Sequence, residues 1–203
     1  MSVDSLTDHF AALGVPRRPW LDADELKGRF LTITASGHPD IGGDPAVFAA
    51  VNVAYTTLRQ PGARLRHLLE LEFPDTLRTS VAAIPEALSK CFMEIATLRR
   101  EAGTFIKQQA SASGPLARAL LVSERSMLHH DLQKAAEQLT EMHEKCLEAI
   151  QEADGLWKEH PAQTAPRLAE IQQELSYLEK WSTQLRELLL ELESSASSPD
   201  IAG

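Results

Sequence analysis

The sequence predicts an all-α fold, on three observations. Apolar residues recur at spacings of three and four along most of the 203 residues, the period of one helix face. No alternating apolar and polar pattern is sustained for the length of a strand. Aromatic residues are only 5% of the chain, whereas Leu, Ala, Glu and Gln are abundant. With 43% hydrophobic residues the chain is long enough to bury a core in one large or two small domains.

The first predicted helix spans residues 4–13, with Leu6, Phe10 and Leu13 on one face. The second spans 24–36. Leu26, Phe30 and Ile33 form its stripe, and Asp22 with Glu25 makes a capping pair at its start. A loop must follow, because Pro39 fixes its own φ and pushes the residue before it out of the α region. Asp44 can then cap, and Pro45 can open, a third helix whose Phe48, Val51, Tyr55 and Leu58 share a face. The second and third helices therefore read as an antiparallel hairpin. Residues 61–71 give a fourth helix able to cover it.

Periodicity lapses between Phe73 and Pro85, around Pro74-Asp75-Thr76 and Thr79-Ser80. Beyond it three long helical stretches are expected: 85–110, then to about 159 with a break near Ser123, then 164–193. They are separated by Ser111-Ala112-Ser113-Gly114-Pro115 and His160-Pro161-Ala162. Three helices with short connections read as a bundle. The predicted organisation is thus an N-terminal helical domain over 1–74, a linker over 75–84, a bundle over 85–193, and a small, polar tail over 194–203 expected to be disordered.

A net charge of −9 argues against nucleic acid or an anionic membrane as partner, since both need clustered Lys and Arg. Cys91 and Cys146 lie in separate helical runs without Cys-x-x-Cys spacing, which disfavours a zinc site or a disulfide framework. No basic start followed by an apolar run is visible, and no apolar stretch approaches spanning length, so a cytoplasmic location is expected. His129 and His130 point about 100° apart on a helix and do not chelate as a pair. No Glu-x-x-His pair or nucleophile–base arrangement stands out. No catalytic residue, metal or cofactor is therefore expected, and the chain reads as a binding protein rather than an enzyme.

The most informative segment is Ser36-Gly37-His38-Pro39-Asp40-Ile41-Gly42-Gly43-Asp44-Pro45, which offers an imidazole and a carboxylate on either side of a ring-locked proline. With Gly42-Gly43-Asp44-Pro45, Phe48, Val51-Asn52, Ala54-Tyr55 and Leu58, it resembles the J domain of DnaJ-type co-chaperones. His9-Phe10-Ala11-Ala12-Leu13-Gly14-Val15-Pro16, Leu21-Asp22, Leu26, Arg29-Phe30, Leu58-Arg59, Pro61, Arg64 and Leu68-Leu69 are similar to the iron–sulfur branch of that family, HscB. The likeness continues more loosely through Phe92-Met93-Glu94, Leu98-Arg99, Glu101, Leu175 and Tyr177-Leu178-Glu179-Lys180.

The resemblance implies docking on a DnaK- or HscA-type chaperone, whose ATPase a J domain stimulates. His38, Pro39 and Asp40 would meet the chaperone, with Asp40 accepting charge-assisted hydrogen bonds and Lys27, Arg29, Arg59 and Arg64 supplying positive charge. It also implies that the bundle binds an iron–sulfur scaffold of the IscU type through Phe92, Met93, Ala96, Thr97, Arg100 and Tyr177. At three of these positions, Ala96, Thr97 and Arg100, the family pattern carries a leucine and two acidic residues. The plainer reading of Phe92 and Met93 is bundle core, although adjacent residues cannot both face it squarely, so one should be partly exposed. The helix before the loop is also less basic than the family pattern: Asp24 and Glu25 offset Lys27 and Arg29, and charge gathers instead at Arg59, Arg64, Arg66 and His67. Two alternatives stay open. One is a J-domain adaptor for a different client; the other is a J-fold interaction module without chaperone stimulation.

Overall fold

A computed structural model describes residues 8–37, 43–79, 85–112 and 114–194. Among these, eight helices and no strand occur: α1 (His9–Leu13), α2 (Ala23–Ser36), α3 (Pro45–Arg59), α4 (Pro61–Glu72), α5 (Pro74–Thr79), α6 (Glu86–Ser111), α7 (Pro115–Trp157) and α8 (Pro161–Ser194).

Local chemistry sets most of the helix ends. Asp8 caps α1, accepting from the amides of Phe10 and Ala11, and Gly14 closes it at φ 62°, a left-handed conformation that a side chain would strain. Asp22 caps α2 through the amides of Asp24 and Glu25. The reciprocal half of a capping box, from Glu25 back to Asp22, is not among these bonds. Asp44 caps α3, and Pro45 fills its first position, where no amide partner is needed. Pro61 opens α4 in the same way. Pro161 likewise begins α8, three residues before the expected start at 164, and α7 runs without a break through Ser123. Of the expected linker, residues 75–79 are helical, as part of Pro74–Thr79.

The described chain packs as two compact units. The first joins the residues up to 79 with Lys145–Ser176, the end of α7 and the start of α8. Its core is Phe10, Leu13, Leu26, Val51, Ala54, Leu58, Leu65, Leu68 and Leu69, together with Ile150, Ala153, Trp157, Leu168, Ile171 and Leu175 from the long helices. The second takes in α6, α7 up to Glu144 and α8 from Tyr177. Its core is Leu88, Cys91, Ile95, Ala102, Phe105, Leu128, Leu132, Leu139, Leu178, Trp181, Leu185 and Leu192. Division by packing thus runs across α7 and α8 rather than at one point in the chain. The physical reason is length: helices of 43 and 34 residues reach about 65 and 50 Å, further than one small core extends.

Candidate partner-binding sites

In the first unit, α2 and α3 form the hairpin. Phe30 stacks on Tyr55 with ring centroids 4.2 Å apart, and Leu26 is the one buried residue of α2. Gly37 ends α2, its amide donating to the Ile33 carbonyl at 2.9 Å. His38, Pro39 and Asp40 lie outside the described residues.

Lys27 and Arg29 are exposed on α2, two positions and thus about 200° apart around the axis. Arg59 is exposed at the end of α3, its guanidinium 6.0 Å from the Tyr55 ring centre. Arg64, expected among the surface charges, is instead buried at 3% exposure. Its Nε donates to the Pro19 carbonyl and one terminal nitrogen to the Leu58 carbonyl, both at 2.8 Å. Burial pushes its pKa down to about 10. The guanidinium thus satisfies two buried carbonyls that no helix ladder reaches, which is why a charge is tolerated in the core.

His67 also turns inward. Its Nε2 accepts the backbone amide of His9 at 3.0 Å, and the two imidazoles lie 4.2 Å apart. Burial lowers the pKa of both; for His67 the neighbouring His9 and Arg17 lower it further, against Asp8. Asp8, 4.0 Å from His67, behaves oppositely: burial raises its pKa, but the Arg17 hydrogen bond and the Ala11 and Phe10 amides outweigh this and hold it low. Of the four positive residues expected near the start of α4, only Arg59 and Arg66 remain at the surface.

In the second unit Phe92 and Met93 are both exposed, at 49% and 65%. Cys91 and Ile95, four apart on α6, take the inward face instead, so the core on this helix is built by them and not by Phe92 and Met93. Ala96 and Thr97 are half-buried one turn on, and Arg100 is exposed, its guanidinium donating to the Thr97 hydroxyl at 3.3 Å. Tyr177 on α8 is half-buried. It stacks on Trp181 at 5.8 Å, and Phe92 meets the same indole at 5.5 Å. Trp181, absent from the residues singled out in the sequence, therefore joins the two aromatic rings from different helices. Its spacing of three from Leu178 and four from Leu185 marks it only as core, and it is indeed buried.

Among the described residues, no group of three or more His, Cys, Asp or Glu could hold a metal ion. Both cysteines are free and buried, and burial together with Glu174 pushes the Cys146 thiol up to about 12, far from a reactive thiolate. No helix among the described residues is long and apolar enough to cross a membrane.

The arrangement is that of a helical hairpin with flanking helices combined with long paired helices, an all-α, HscB-like fold. The chain is similar in structure to the chaperone HscB from Vibrio cholerae, with a TM-score of 0.55 and 19% sequence identity, covering 91% of this chain and 99% of that one. No family model and no curated protein matches the sequence.

Proposed function

We propose that this chain is a J-type co-chaperone that stimulates the ATPase of a DnaK- or HscA-type chaperone and delivers a client, the iron–sulfur cluster scaffold. The observation that carries the reading is the His38-Pro39-Asp40 sequence between α2 and α3, within a fold like that of HscB. Residues 1–74 would act as the J domain and 85–193 as the client-binding part. Lys27, Arg29 and Arg59 would steer the chaperone, and the chemistry of hydrolysis would remain the chaperone's own.

Client binding would use Phe92, Met93 and Tyr177. Two exposed apolar side chains beside a partly exposed tyrosine are the kind of anchors that dominate protein interfaces. Ala96, Thr97 and Arg100 border them and would read the scaffold differently from the family's leucine and acidic pair.

A single-turnover ATPase assay with the chaperone tests the first half: stimulation by the wild-type chain, abolished by His38→Gln, is expected, and equal rates with both sink it. Copurification of the scaffold tests the second. Loss of at least about tenfold in affinity is expected for Phe92→Ala with Met93→Ala, as for interface hot spots; undiminished capture would reassign the client. A J-fold module without stimulation is the second reading. It is favoured by the thin positive charge of α2, where Asp24 and Glu25 offset Lys27 and Arg29, and by the burial of Arg64.

A further inference from the structure

The connector between α1 and α2 is irregular, yet side chains from α4 and α7 bind its backbone. Asp154, near the end of α7 and 7% exposed, accepts the Trp20 amide at 3.1 Å. The same carboxylate pairs with Arg18, taking its Nε at 2.9 Å and a terminal nitrogen on the second oxygen. One turn further along α7, Trp157 donates its indole N–H to the Arg17 carbonyl at 3.2 Å, and its ring meets Phe73 edge-on at 5.7 Å. From α4, Arg64 holds the Pro19 carbonyl. The Arg17 side chain is bound as well, to Asp8 and Glu72. Two residues beyond Trp20, Asp22 caps α2.

Helix α2 needs such an anchor. Only Leu26 of its 14 residues is fully buried, with Phe30, Ile33 and Thr34 half-buried and Phe30 stacked on Tyr55, so packing on α3 fixes its direction only in part. Fourteen residues at 1.5 Å each make a lever of about 21 Å, and a pivot of about 10° at the N-terminus moves the far end by nearly 4 Å. That far end is Ser36, two residues before His38.

We propose that Asp154, with Trp157, is a positioning device: it clamps Arg17–Trp20 and so aims α2 at the chaperone. The inference rests on the co-chaperone reading for its functional consequence but not for the clamp itself. The first unit would then require residues from the end of α7 for docking, although none of them touches the chaperone.

Full-length Asp154→Ala and Asp154→Asn, with Arg18→Met, test it by amide hydrogen exchange and by ATPase stimulation. Exchange across α2 should rise by at least about tenfold in Asp154→Ala, and less in Asp154→Asn, which keeps an acceptor for the Trp20 amide, while α3 and α4 keep their protection. Arg18→Met, which leaves the Trp20 bond, should be the mildest. The chain concentration giving half-maximal stimulation should rise by about tenfold in Asp154→Ala with the maximum retained. Unchanged exchange in α2, or a uniform loss across α1 to α4, overturns the clamp. Exchange confined to α2 with unaltered stimulation overturns its role in aiming. If the wild-type chain itself fails to stimulate, the co-chaperone reading falls, while the exchange experiment still decides the clamp.

Discussion

Replacing Arg64 by Met keeps the aliphatic bulk in the core and removes both hydrogen bonds to the Pro19 and Leu58 carbonyls. Each bond from a charged donor contributes about 1.5–3 kcal/mol net, so the pair is worth about 3 kcal/mol at the lower bound. The lower bound applies because the substitution also relieves the burial that drives the guanidinium pKa down to about 10. A loss of this size is a large part of the about 5–15 kcal/mol that holds a typical domain folded. Urea denaturation followed by far-UV circular dichroism reads it directly. With a slope of about 2 kcal/mol per molar, the transition of the first unit should move down by about 1.5 M. Arg66→Met, on the exposed side of α4 two residues on, should stay within about 0.5 kcal/mol of wild type. A midpoint for Arg64→Met within about 0.3 M of wild type, at unchanged slope, would refute the reasoning. With Arg64 buried in this way, failure of a charge-reversal variant there would report unfolding rather than a lost surface contact.

Further outcomes follow from the same unit. The His9 and His67 pKa values are lowered in the folded state, so the unfolded chain binds more protons as pH falls below about 6.5; the stability contributed by the neutral pair is complete above that pH and is lost on acidification. Melting temperature measured between pH 7.5 and 5 should fall more steeply in wild type than in a His9→Asn, His67→Gln variant, and parallel profiles would contradict this. Gly14→Ala, at φ 62°, should cost about 1 kcal/mol, whereas Gly28→Ala, within α2 with open space where the methyl group would lie, should gain about 0.5–1 kcal/mol; equal effects in thermal melts would contradict the assignment of the two glycines.

The legible part of the fold was its local part. Asp22, and Asp44 with Pro45, announce the starts of α2 and α3 because capping involves residues two or three apart, and Phe30 and Tyr55 advertise their inward faces by spacing alone. Periodicity likewise supplied the long helices, though it suggested a break at Ser123 that the continuous backbone hydrogen-bond ladder of α7 does not have. Where partners are distant in sequence, the residues carried no such mark. Arg64 reads as surface charge until Pro19, 45 residues earlier, supplies a buried carbonyl. Phe92 and Met93 could be read as core, and Trp181 passed unremarked between Leu178 and Leu185.

What the sequence determined by itself, then, was helix content, the starts of α2, α3 and α4, and the His-Pro-Asp segment between two paired helices, all consequences of steric and hydrogen-bonding preferences within a few residues. Tertiary packing alone decided which polar groups are buried, which apolar ones are left outside, and that the end of α7 belongs with the N-terminal unit. A side chain's burial depends on what faces it across the core, and for Asp154 that is the Trp20 amide, 134 residues away along the chain.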